Sequence, residues 1–459
     1  MNSEDQIAVT LIDNDLPEGW ALPRISDLIE INYGKGLKES DRKVGPVPVY
    51  GSNGVVGNHN ASLSKGSAII VGRKGSVGFV HFSLMPCWPI DTTYYIDKFN
   101  GLNPQFLMYA LRTLDLADLD TSTAIPGLNR NDVYMQKIPL PPLNEQKRIV
   151  AKVEELLTRV NATKERLAKV SLILKRFRQA VLAAACSGRL TAAWREENQT
   201  EDLPEGSELP PGWRWMPIKE LLPPGGIFDG PFGSNLKTAD YTDNGIRVVR
   251  LENVGSLQFI HSKETYISQE KYKILSKHTV GVGDIIFASF IDEEVRACVL
   301  PELPTKAIAK ADCFCLRPRQ DVVDRHYLKL QLVSRESYER LSESVHGATR
   351  PRINTTQLRN LEVRICSLPE QHEIVRRVEA LFGLADAVEK RVAAATARAE
   401  KLSQSILAKA FRGELVPTEA ELARRERRSY EPASDLLARI KSDRESKQAS
   451  QKVRRNRNL

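Results

Sequence analysis

The chain has 459 residues, a formal net charge of +8 and 41% apolar residues, which is too long for one ordinary core and fits a soluble globular protein of roughly two to four domains. The charge permits an acidic partner without requiring one. Its six cysteines form no Cys-x-x-Cys pair, the opening MNSEDQIAVT lacks a basic stretch leading into an apolar run, and no long window is uninterruptedly apolar. These features predict no structural zinc site, no secretory leader, no membrane span and a reduced, cytoplasmic setting.

The first recognisable mark is LPEGW, Leu16 to Trp20. After it, VYGSNGVVGNHN and AIIVGRKGSVGFVHF place short apolar runs between glycine-rich turns, the pattern of β-hairpins. Arg73 and Lys74 lie in such a turn, between Gly72 and Gly75. A basic turn on a rigid sheet can reach a phosphate or a guanine edge; a solvated hairpin tip is the competing reading. GRKGSVG lacks the Gly-Lys-Ser/Thr ending of a phosphate loop, and a strand follows it rather than a helix. Residues 1–142 are read as the first variable domain.

From Leu143 to Ser187 there is no Gly or Pro. Apolar residues fall at Ile149, Val153, Leu156, Val160, Leu167, Val170, Leu174, Phe177 and Val181, with Thr163 in the one polar gap. Steps alternating four and three are the heptad pattern of a coiled-coil seam, and Gly188 ends it as a helix-terminating glycine does. The helical region is set at 143–190, followed by a linker over 191–208.

A second mark, LPPGW, spans Leu209 to Trp213. The second variable domain, 209–366, contains GIRVVRLENVG, GVGDIIFASF and HGATRPRIN, again strands with polar tips. FDGPFG, Phe228 to Gly233, has glycines without the spacing of a cofactor loop. A second helix, 367–416, carries the seam Ile374, Val378, Leu381, Ala385, Val388, Val392, Ala395, Ala399, Leu402 and Ile406. Ser367 and Glu370 are spaced as a capping box, and Gly383 could mark a bend. The basic end, 417–459, reads as a flexible, solvated tail.

The two helices are copies. LNEQKRIVAKVEELL at Leu143 returns as LPEQHEIVRRVEALF at Leu368, an offset of 225 that holds to Gly188/Gly413 and Leu190/Leu415. The Leu-Pro-x-Gly-Trp marks repeat at an offset of 193, so the second half gains about 32 residues between its marks. The fold expected is α+β: two globular mixed α/β domains separated by two long antiparallel coiled-coil helices, an internal tandem repeat with pseudo-two-fold symmetry. Antiparallel pairing would set Ala395 and Ala399 opposite Leu156 and Val160, large against small; alternatively each helix simply caps its own domain. Helices of some 45 residues would be rods of about 65 Å, able to space two reading heads along a duplex.

Catalytic signatures are missing. The chain has no Asn/Asp-Pro-Pro-aromatic tetrad for amino-methylation, its seven histidines lack metal-ligand spacing, and Asp292 to Glu294 reads as a solvated turn. The chain therefore reads as one that binds and positions, with no catalytic or metal-binding residues. The candidate DNA contacts are Asn53, Arg73, Lys74, Ser76, Arg130, Asn235, Lys237, Arg247, Arg250, Asn253, Arg350 and Arg352. Among them, Asn235 and Asn253 are of the type that pairs with adenine.

The order variable domain, NEQ helix, variable domain, PEQHEIVRRVEALF helix and QSILAKAFRGEL resembles the specificity subunit of type I restriction-modification enzymes, over about residues 16 to 416. The closing segments are most similar to the enterobacterial branch of that family. The resemblance implies that each variable domain is a target recognition domain reading one half of a bipartite, asymmetric sequence in double-stranded DNA. It implies that the helices set the unread spacer and dock two methyltransferase subunits, which bind S-adenosylmethionine and methylate adenine. Motor and nuclease subunits, with ATP and Mg, would complete the restriction form, and no cofactor would belong to this chain. Glu145, Gln146, Glu370 and Gln371 are then docking candidates, with helix capping the alternative. A stand-alone two-headed architectural or regulatory DNA-binding protein is the other reading.

Overall fold

The computed structural model describes residues 16–119, 127–198, 209–233, 235–345 and 351–457. The chain divides into two compact units, residues 1–167 with 394–459, and residues 168–393. Each is built on the same frame.

In unit 1 an antiparallel sheet runs in the order Asn32–Tyr33, Thr93–Ile96, Ala68–Gly72, Val80–Ser83. In unit 2 the order is Ile227–Phe228, Cys313–Leu316, Ile285–Ala288, Ala297–Val299. The central strands AIIVG and IIFA are buried at every position, which accounts for their unbroken apolar runs. A helix packs beside each sheet, Pro104–Arg112 in unit 1 and Arg325–Leu332 in unit 2. Both start on a side-chain cap: Asn103 accepts from the Phe106 N–H at 3.0 Å, and Asp324 from the His326 and Tyr327 N–H groups at 2.9 Å.

A second sheet carries the difference in length. Unit 1 has three strands, Gly54–His59, Val47–Gly51 and Trp88–Pro89, the last two parallel. Unit 2 has five, Tyr241–Thr242, Tyr266–Ile267, Ile246–Val249, Ala307–Ala309 and Thr279–Val280, with Ile246–Val249 parallel to Ala307–Ala309. The repeat is visible in the joins too. Arg214–Pro217 pairs with Glu362–Ile365 in unit 2, and the counterparts in unit 1 are the bridges Ala21 to Leu140 and Arg24 to Lys137.

The long helices are Leu143–Cys186 and Leu368–Phe411, 44 residues each and unbroken, including at Gly383. Within unit 1 the start of the first packs on the end of the second: Ile149, Val153 and Val160 share a core with Ala399, Ile406, Ala410 and Phe411, with Leu156 against it. Within unit 2 the end of the first packs on the start of the second: Val181, Ala185 and Cys186 share a core with Ile374 and Val378. The pairing is antiparallel in both. Three seam positions differ from expectation: Phe177, Val388 and Leu402 are exposed. Leu402 is half exposed, because the buried line runs Ala399, Ile406, Ala410 with Ser403 between, which rotates Leu402 outward.

The C-terminal segment is not loose where it is described. Helices Glu419–Glu426 and Ala433–Arg457 follow the second long helix, and Ala433, Leu436 and Ile440 enter the unit 1 core beside Leu28. Burying an isoleucine or leucine contributes about 2 kcal/mol, while Arg439 between Leu436 and Ile440 stays exposed to water, so the basic character of the segment does not oppose docking.

Candidate nucleic-acid interface

In unit 1 the turn after Ala68–Gly72 is closed by bonds from the Arg73 and Lys74 N–H groups to the Thr92 carbonyl, at 2.9 and 3.1 Å. The Arg73 guanidinium donates to the Asp91 carbonyl at 3.3 Å and lies 5.1 Å from the centroid of Tyr33. Arg130, at the first turn of the helix Arg130–Met135, lies 4.8 Å from the same ring and donates to the Ile31 carbonyl. Tyr33 is 50% exposed and rests edge-on against buried Tyr94. One outward-facing ring thus carries two guanidinium groups, a favourable cation–π arrangement. Lys74 and Asn53 are exposed nearby and Ser76 is half-buried; the Asn53 hairpin reaches this turn because a side chain on Gly72 or Gly75 would touch Ser52. Asn53, Arg73, Lys74, Ser76 and Arg130 therefore share one edge. Sequence reasoning missed Tyr33, since a lone tyrosine before a glycine gives no signal.

Unit 2 uses the same join with different residues. Lys74 bridges Gly127 in unit 1, and Phe290 bridges Arg352 in unit 2. The Arg352 guanidinium pairs with the Asp312 carboxylate and lies 5.6 Å from the Phe232 ring and 5.9 Å from Phe290. Asp312 stands in the left-handed region, φ 73°. It is fixed there by its N–H to Asp229 at 3.0 Å and by the Ser289 N–H to its carbonyl at 2.9 Å. Burial, with Asp312 adding to it, pushes the Asp229 carboxyl up to about 6. FDGPFG forms the loop beneath this group, and Gly230 is required because any side chain would meet the Lys310 backbone at 2.1 Å. Asn235 and Lys237 continue that loop and are exposed.

The remaining candidates separate. Arg250 is half-buried, paired with Glu252 at 3.1 Å, and lies over Tyr241. Arg247 is only 4% exposed, set over Tyr266 with Glu264 at 3.9 Å, so its guanidinium is a structural cation rather than a surface contact. Asn253 is fully buried. Its amide accepts from the Arg250 N–H and donates to the Ile260 and Ser262 carbonyls, which holds a loop and leaves nothing for a base. Arg350 lies outside the described residues.

The four docking candidates are also corrected: all are buried. Glu145 accepts from the Trp20 indole at 3.0 Å and from the Glu419 N–H at 2.8 Å. Glu370 accepts from the Trp213 indole at 3.1 Å, from Thr191 at 2.7 Å and from Arg195, and so does not serve the expected capping box with Ser367. Gln146 accepts from the Asn103 N–H and Gln371 from the Asp324 N–H, each tying the long helix to the start of the sheet-packed helix. The tryptophans of the repeated marks also cover the closing glycines, Trp213 on Gly188 and Trp20 on Gly413. Each unit thus clamps the start of one long helix and the end of the other.

The family model for the type I restriction modification DNA specificity domain matches residues 17–172 and 225–395. The chain belongs to this family. It is 29% identical to the EcoDI specificity subunit of Escherichia coli over 87% of this chain and 89% of that one. It is 33% identical to the EcoBI specificity subunit of Escherichia coli over 70% of this chain and 66% of that one. A solved structure from work on complex assembly and conformational transition of the type I R-M system has the same fold, with TM-score 0.63 and 22% identity over 87% of this chain and 99% of that one. Members of this family are non-catalytic components. No helix among the described residues is long and apolar enough to cross a membrane. On the long helices, Leu172, Ile173, Leu384 and Leu402 are exposed, apolar positions that the seam does not use.

Proposed function

We propose that this chain is the non-catalytic DNA-specificity subunit of a type I restriction-modification complex. The recognition domain within residues 1–142 reads one half of a bipartite, asymmetric target and that within 209–366 reads the other. The observation that carries this reading is the pair of arginine–aromatic edges, placed at the same join of the same frame yet built from different residues. Related frames with dissimilar tips suit two different half-sites, because base edges are distinguished by which donors and apolar groups face them. The long helices set the unread spacer, and their exposed leucine and isoleucine positions dock two methyltransferase subunits. S-adenosylmethionine belongs to those subunits, and ATP with magnesium to the motor and nuclease subunits of the restriction form. The complex works in the cytoplasm.

The test is genome-wide detection of methylated adenines in cells expressing this chain with its methyltransferase partner. A two-part motif with a fixed gap is expected. Methylation that is absent, or unchanged without this chain, would leave only a DNA-bridging protein. Inserting one heptad into both helices adds about 10 Å, and the gap is expected to lengthen by roughly three base pairs of rise while both half-sites keep their sequence.

A further inference from the structure

We infer that Arg352 is the guanine-reading residue of the second recognition domain, with Asp312 as the residue that positions its fork. The inference rests on the DNA-reading function proposed above and assigns one of its base contacts. Arg352 reaches the surface between two aromatic rings, with 42% of its side chain exposed and Phe232, 52% exposed, beside it. One terminal nitrogen is held by the Asp312 carboxylate, and that carboxylate also receives the Ser289 hydroxyl at 3.2 Å. Asp312 is in turn fixed in a left-handed conformation by bonds through Asp229 and Ser289. Holding a residue in that region costs free energy, and the result here is a carboxylate set at a defined place under a guanidinium.

The surroundings distinguish a base from a phosphate. A carboxylate beside the guanidinium repels a phosphate but not a neutral base edge. An exposed aromatic ring likewise matches the apolar flank of a base better than a charged backbone. A planar fork with fixed orientation fits the O6 and N7 acceptors of guanine in a bidentate manner. In unit 1 the matching turn tethers Arg73 through the Asp91 carbonyl, and among the described residues no carboxylate pairs with it, so within them this device belongs to the second domain.

The experiment uses the full chain assembled with its methyltransferase subunits, selecting bound sequences from a randomised duplex pool. Each guanine of the selected motif is then replaced by 7-deazaguanine, which lacks the N7 acceptor. The wild-type complex is expected to lose about tenfold or more in affinity at one guanine of one half-site. Arg352→Lys keeps the charge but loses the fork, and is expected to lose both base preference and 7-deaza sensitivity at that position alone. Asp312→Asn, which tolerates the left-handed backbone, is expected to relax the same position while the other half-site is unchanged. Uniform weakening with a shallower salt dependence, and no position sensitive to 7-deazaguanine through Arg352, would make it a phosphate contact and overturn the inference alone. A wild-type complex that selects no two-part sequence would overturn the DNA-reading function and the inference together.

Discussion

Trp213 donates its indole N–H to the Glu370 carboxylate at 3.1 Å, inside a buried group that also contains Thr191 and Arg195. Glu370 supplies the negative charge of that group, so Glu370→Ala leaves Arg195 as a buried cation without its partner. A loss of about 3–5 kcal/mol is expected, read by chemical denaturation of the full chain. Trp213→Phe removes that hydrogen bond and also part of the buried ring that covers Gly188, and is expected to cost at least about 1–3 kcal/mol.

The matching site in unit 1 responds to pH. Burial pushes the Glu145 carboxyl up to about 7 from an ordinary value of 4.5, against the bonds from Glu419 and Trp20 that lower it. The folded chain therefore keeps a proton that the unfolded chain has released between those values. Stability from this residue is fully present below about 4.5 and falls as the pH rises to about 7, by roughly 3 kcal/mol. Glu145→Gln is expected to flatten that segment of the stability–pH curve, measured by denaturant midpoints from pH 4 to 8. A slope unchanged by the substitution would assign it elsewhere.

Glycine substitutions in the helices are expected to have opposite signs. Gly188 has φ 74°, and a side chain there meets Trp213 at 2.9 Å, so Gly188→Ala is destabilising by more than about 1 kcal/mol. Gly383 sits in the helix interior, and a methyl group added there would have nothing within 4 Å, so Gly383→Ala stabilises by about 1 kcal/mol. Thermal melts of the two variants separate them.

Leu436→Asp places an unpaired charge in the unit 1 core, where Leu436 is fully buried. Hydrogen exchange is expected to quicken across Ile25–Leu28, which lies against this helix and whose Ser26 carbonyl accepts from Arg444 at 2.6 Å. Protection in the unit 2 strands should be unchanged.

The duplication, the antiparallel seam and the basic turn at Arg73 are legible in the sequence because identity, heptad spacing and glycine punctuation are local signals. Asn253 misleads because an asparagine that braces a loop has the same neighbours in sequence as one that faces solvent. Glu145, Gln146, Glu370 and Gln371 look like surface residues, as charged and amide side chains near helix starts usually are. Their clue is nonetheless present: they repeat identically alongside Trp20 and Trp213 while the tips diverge, as residues that serve the shared frame would. The docked end of the chain is hidden because its basic run masks Leu436 and Ile440, which are one helical turn apart.

The division of the chain also has a consequence for synthesis. Unit 2 is one continuous stretch, residues 168–393, whereas unit 1 joins residues 1–167 to 394–459. Glu145 waits for the Glu419 N–H, and Gly19 for the Ala433 N–H that donates to its carbonyl at 2.9 Å. A chain leaving the ribosome can close its second domain while the first still lacks part of its core. The usual order of domain folding, N-terminal first, is thereby inverted, and residues translated after the second domain are those that complete the first.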